Sequence, residues 1–99
     1  MLEGCILAII NQETVYGYEL SLKLQNYGLK VSEGSIYPVL LRLQKEGLIK
    51  GEFKNSPNGP DRKYYFITKQ GINALEEFRN NWEKIKVPVD LLLYKEQIP

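Results

Sequence analysis

A chain of 99 residues has room for one domain, and 43% hydrophobic with 25% charged residues is a globular composition rather than a disordered one. The absence of histidine and the single cysteine, Cys5, exclude Ser-His-Asp and Cys-His catalysis, most zinc sites and any intrachain disulfide, so a reducing, cytoplasmic setting is expected with no metal and no cofactor. Thirteen Lys and Arg against twelve Asp and Glu leave a net charge of +1, which by itself argues against nucleic-acid binding, and no apolar run approaches the roughly 20 residues of a membrane helix.

Leu2–Ile10 is apolar and ends at Asn11-Gln12-Glu13-Thr14, the pattern of a largely buried first helix. Cys5, next to Gly4, Ile6 and Leu7 and far from any cation, reads as a small buried hydrophobe. Tyr16, Leu20, Leu24 and Tyr27 recur at four, four and three residues and predict a second helix with these side chains toward the core, stopped by Gly28. A third helix begins near Ser32, carries Ile36, Leu40 and Leu43 inward and closes at Glu46-Gly47. Ser32 or Ser35 can cap it; Ser35 is the easier choice on propensity, because it leaves Pro38 in the first turn.

The period then changes. Ile49–Asn55 and Arg62–Ile67 are rich in aromatic and β-branched residues and flank Ser56-Pro57-Asn58-Gly59-Pro60-Asp61, which together predict a β-hairpin with a long exposed tip. Thr68 caps a fourth helix from about Lys69. Leu75, Phe78, Trp82, Ile85, Val89 and Leu92 follow it at 3-4-3-4-3 spacing, a heptad seam of the kind that faces another helix. Pro88 predicts a kink or stop near Lys86-Val87.

Helix, helix-turn-helix and two-stranded ribbon in that order define an α+β chain with the architecture of a winged helix, over residues 1–68, followed by a C-terminal dimerisation helix and tail over 69–99. Three blocks of sequence sharpen this. Val15-Tyr16-Gly17-Tyr18-Glu19-Leu20 and the run from Ser32 to Ile49, with Ser35-Ile36-Tyr37-Pro38 at its centre, closely resemble the PadR family of winged-helix transcriptional regulators. Gly59-Pro60-Asp61-Arg62-Lys63-Tyr64-Tyr65-Phe66-Ile67-Thr68, followed by Gly71, is similar to that family's wing signature. The resemblance covers roughly residues 2–86 and implies a homodimer formed through C-terminal helices, usually a repressor acting on palindromic operators and often released by a small molecule. With one helix after the wing, the chain resembles the short subfamily.

On this reading the third helix enters the major groove and offers Ser35, Tyr37, Pro38 and Arg42 to DNA, while the wing offers Lys54, Asn58, Gly59, Arg62 and Lys63. Tyr18, where the second helix crosses the backbone, is set to meet a phosphate through its hydroxyl. Leu75, Phe78, Trp82, Ile85 and Val89 form the expected dimer interface. Trp82 reads first as an interface anchor; as a minority reading, a pair of them across a two-fold axis would sandwich a small aromatic effector, with Ile6 and Ile9 lining the same space. The competing readings are a winged helix that docks proteins and never touches DNA and, remotely, an enzyme. The bland net charge itself divides: residues 1–29 sum to −2, residues 30–69 to +4 and residues 70–99 to −1, so the expected recognition helix and wing are cationic.

Overall fold

In a computed structural model, which describes residues 1–54, 59 and 62–95, the order is α1 (Leu2–Gln12), β1 (Val15–Tyr16), α2 (Glu19–Asn26), α3 (Glu33–Lys45), β2 (Ile49–Lys54), β3 (Arg62–Ile67) and α4 (Lys69–Tyr94). The strands form one antiparallel sheet in the order β1-β3-β2. Ile6, Leu7 and Ile10 of α1, Leu20 and Leu24 of α2, and Ile36, Leu40 and Leu43 of α3 meet in a single core closed by Val15, Ile49, Tyr65 and Leu75. Each buried aliphatic side chain contributes about 1.5–3 kcal/mol of transfer free energy.

The two-stranded ribbon expected from the sequence is a three-stranded sheet, because Val15 and Tyr16 form a strand and not the start of a helix. Val15 pairs with Tyr65 and Tyr16 with Tyr64. The Tyr16 amide donates to the Glu19 carboxylate at 2.9 Å, so the chain turns through Gly17 and α2 begins only at Glu19, with Tyr18 at its cap position. Tyr16 is therefore half-buried on the sheet, and Tyr27, at the other end of the same periodic set, is exposed; only Leu20 and Leu24 of the four are core residues. Gly28 follows α2 with φ +97°, a conformation that favours glycine, which is the stop the sequence signalled.

Ser32, not Ser35, caps α3: its hydroxyl accepts from the Ser35 amide at 3.3 Å. Pro38 thus stands beyond the first turn, and the bond it forfeits is the one to the Gly34 carbonyl. The helix survives because Ile36, Val39, Leu40 and Leu43 are buried on either side of it. Thr68 caps α4 as expected, accepting from the Gly71 amide at 3.0 Å and donating to the Gly47 carbonyl at 2.7 Å.

Pro88 does not end α4, which continues to Tyr94. A proline ring holds φ at the helical value of about −65°, so here it removes one hydrogen bond without redirecting the chain out of the helix. The first turns of α4 are built into the domain: Leu75 is buried, Phe78 lies against Gly4 of α1, and Gly71 meets the Leu48 backbone. A Cβ on Gly71 would stand 2.0 Å from the Leu48 carbonyl oxygen, which has no free rotor with which to retreat. Gly71→Ala is expected to cost about 3 kcal/mol and to lower the melting temperature by on the order of 10–20 °C in a thermal unfolding scan. Gly34→Ala, whose Cβ would meet only the Ser32 hydroxyl at 3.9 Å, is expected to leave it unchanged or slightly higher.

Candidate nucleic-acid interface

Side chains alternate across β3, and the two faces hold different partners. Arg62 and Tyr64 share one face. The Arg62 guanidinium donates to the Tyr18 hydroxyl at 2.8 Å and lies over the Tyr18 ring, 5.0 Å from its centroid. Tyr18 stacks on Tyr16 at 5.8 Å, and Tyr16 meets Tyr64 edge-on at 6.1 Å, so an aromatic file leads from the sheet to the start of α2. The Tyr64 hydroxyl donates to Glu52 across the strand pair at 3.2 Å, and that bond holds its phenol above the usual range.

Lys63 and Tyr65 share the opposite face, toward α3. The Lys63 ammonium donates to the Gln44 side chain at 3.4 Å and stands 5.5 Å from the Tyr65 ring and 5.8 Å from that of Phe53. Its stem crosses Gly51, where an added Cβ would fall 2.4 Å from Lys63 Cε. Tyr37 lies beside Gly17 and Tyr65; a Cβ on Gly17 would be 3.3 Å from either ring. Burial, with the neighbouring Tyr37 adding to it, pushes the Tyr65 phenol up.

The edge where these files meet is a cleft of about 200 Å³ lined by Gly17, Tyr18, Tyr37, Arg62, Lys63 and Tyr65. Four of the residues expected at DNA, from α2, α3 and β3, are therefore gathered at one place. Lys54 stands directly across the strand pair from Arg62. Like charges in register are destabilising in isolation, and an anion placed between them reverses the sign of that interaction. Arg62 retains guanidinium donors beyond the one spent on Tyr18, so the rim presents N–H, ammonium and phenol donors suited to phosphate oxygens.

Other expected contacts lie elsewhere. Arg42 is ion-paired with Glu3 at the start of α1, and so is turned along the helix bundle and away from the cleft. Ser35 is exposed in the first turn of α3, with its hydroxyl 3.1 Å from that of Ser32; Pro38 is exposed on the same helix. Gly59 is exposed, and Asn58 lies outside the described residues. Ile6 is fully buried and Ile9 nearly so, which removes Ile6 from the lining of any open effector space; the cavities that Ile9 borders are walled by α1, α2 and the segment following α2, not by Trp82. Leu75 belongs to the chain's own core and Phe78 packs against it, while Trp82, Ile85 and Val89 are 46%, 52% and 41% exposed. Gly17, Gln44 and Tyr65 escaped sequence reasoning. Gly17 stands inside the quoted Val15–Leu20 block and alternation along Arg62–Ile67 places Tyr65 beside Lys63, but Gln44 gave no signal of its own.

A helix-turn-helix bracketed by strands, with a basic hairpin folded against its second helix, defines a winged-helix protein. Residues 6–77 match the transcriptional regulator PadR-like family. The chain is 60% identical to a PadR-like transcriptional regulator from Bacillus cereus whose crystal structure superposes with a TM-score of 0.82, covering 93% of this chain and 90% of that one. It is 37% identical over 71 residues to a transcriptional regulator of Mycobacterium tuberculosis, covering 72% of this chain and 65% of that protein. The fold is also that of Bacillus subtilis PadR, crystallised in complex with operator DNA, at TM-score 0.72 and 22% identity over 79% of this chain and 46% of that one. The chain belongs to the PadR-like family, whose members are transcriptional regulators and not enzymes. Among the described residues no helix is long and apolar enough to cross a membrane.

The raised Tyr64 and Tyr65 phenols make a prediction about alkaline pH. Both keep their protons longer in the folded state, so stability is fully present below the ordinary tyrosine value of about 10 and falls as pH rises above it. Melting temperature measured from about pH 8 to 11 is expected to be flat and then decline, and Tyr65→Phe is expected to shallow that decline.

Proposed function

We propose that this chain is a DNA-binding transcriptional regulator that acts as a homodimer in the cytoplasm, with α3 of each copy in the major groove and each wing against the flanking backbone of a (pseudo)palindromic operator. The observation that carries this reading is the convergence of Tyr18, Tyr37, Arg62 and Lys63 on one cleft between the helix-turn-helix and the wing, with Lys54 opposite Arg62. The operator complex of Bacillus subtilis PadR supports it by fold. Arg62, Lys54 and the Tyr18 hydroxyl hold phosphates and supply affinity; Lys63, engaged by Gln44, sets the angle of the wing on α3. Repression follows from occupying a promoter.

The dimer forms along α4. Leu75 and Phe78 face the chain's own core, and the same helical stripe continues through Trp82, Ile85 and Val89 into solvent. Residues 1–68 thus bind DNA and 69–99 dimerise, with the first turns of α4 shared by both. A small aromatic effector taken between the two copies of Trp82 would shift the spacing of the α3 helices, acting only through its preference for one dimer geometry.

Fluorescence anisotropy with duplex DNA from upstream of the gene is expected to show binding that weakens steeply as salt rises. Arg62→Ala is expected to weaken it and to reduce the salt slope by about 1, as loss of one phosphate contact does. Absence of binding at low salt would leave a protein-docking module. Trp82→Ala is expected to weaken self-association by about 2 kcal/mol, or roughly 30-fold in Kd by sedimentation, with little change in the fold of each protomer.

A further inference from the structure

The face of α3 turned away from the core has an unusual composition. Ile36, Val39, Leu40 and Leu43 are buried, and the stripe opposite them is Gly34, Pro38, Leu41 and Lys45 at spacings of four, three and four residues. All four are exposed, and Leu41 shows 55% of its surface to solvent. Tyr37 and Gln44 lean to one side of this stripe, against the wing, and Arg42 to the other, toward Glu3. The most outward positions of the recognition helix therefore carry no side-chain hydrogen-bonding group until Lys45.

A single exposed leucine is ordinary on a protein surface. This one differs in its surroundings. It stands between Pro38 and Lys45 in a segment of net charge +4, residues 30–69, with Arg62 and Lys54 on the adjoining wing. A polyanion is the complementary partner for that surround, and within duplex DNA the apolar feature exposed in the major groove is the C5-methyl group of thymine. Gly34, whose missing Cβ leaves open space, allows the helix backbone to approach the base edges closely.

We infer that Leu41, with Pro38 beside it, is a specificity-determining residue that reads thymine methyl groups in each half-site by apolar contact. The inference rests on the DNA-binding reading above and adds to it the chemistry of discrimination: shape and methyl contact from α3, phosphate charge from the wing. Ser35 and Tyr37, flanking the stripe, keep the polar contacts available to them.

The test is to enrich binding duplexes from a random-sequence pool with the full chain, then to replace thymine by deoxyuridine one position at a time within the enriched site. At one or two positions per half-site, loss of the methyl is expected to weaken binding about three- to fivefold. Leu41→Ala, an exposed substitution that favours the helix, is expected to fold normally and to bind thymine and deoxyuridine duplexes within about twofold of each other at those positions. Arg62→Ala is expected to weaken both duplexes equally. Equal affinity of the wild-type protein for thymine and deoxyuridine at every position, or a methyl effect that persists in Leu41→Ala, would overturn the inference while leaving DNA binding intact. Failure to enrich any duplex, with no salt-dependent binding, would overturn the DNA-binding reading and the inference with it.

Discussion

The interface depends on β3 being paired on both edges. β1 leads into α2 and β2 follows α3, so the helix-turn-helix is held at its two ends by strands of one sheet. With Tyr16 in register with Tyr64 and Phe53 with Lys63, the position of every side chain on β3 is fixed relative to both helices. A slip of one residue would exchange the two faces of the strand, carrying Arg62 toward α3 and Lys63 toward Tyr18. The contacts of Arg62 with α2 and of Lys63 with α3 are thus consequences of register. The absence of a Cβ at Gly51 lets the Lys63 contact close, and its absence at Gly17 makes room for the Tyr37 and Tyr65 rings.

Two adjacent cations consequently do different work. The Arg62 contact with Tyr18 leaves guanidinium donors at an exposed rim, while Lys63 is half-buried, its charge shared between an amide oxygen and two aromatic faces. From sequence alone the pair reads as two equal basic residues, since alternation places them on opposite faces without saying what lies on either side. The uneven charge along the chain was visible, because a sum over segments needs no structure. The pairing of Arg42 with Glu3 was not, because 39 residues separate them and only the packing of α1 on α3 brings them together.

The helical periods of α1, α3 and α4 were legible because each buries one stripe against a common core. Failures cluster where tertiary pairing overrode local pattern. Tyr16 fits the period of α2, yet Val15 and Tyr16 satisfy their backbone through β3, and the Glu19 carboxylate takes the Tyr16 amide. Ser35 is the better cap on local grounds because of Pro38, but Ser32 starts the helix earlier and the buried residues around Pro38 absorb the lost hydrogen bond. Pro88 predicts a kink or a stop for the same reason, from the local cost of proline, and the continuation of α4 to Tyr94 rules out the stop.

The length of α4 carries the argument for a second chain. Its 26 residues extend about 39 Å, and the chain's radius of gyration is 16.5 Å against about 13 Å for a compact domain of this size. The excess is helix that has left the core: Ile85, Val87, Leu91, Leu92 and Leu93 are each more than half exposed, on a segment that also contains a proline. Helical stability in proteins comes mostly from packing of an apolar face, and this segment has no such packing within its own chain. The stripe that buries Leu75 is the stripe that exposes Trp82, Ile85 and Val89, so in the proposed dimer the same periodicity would serve first the monomer's core and then a partner's surface. Because Gly4 brings α1 against Phe78 on that stripe, a partner docked on α4 would border α1 as well, and any change in the dimer would reach α3 through the core that α1 and α3 share.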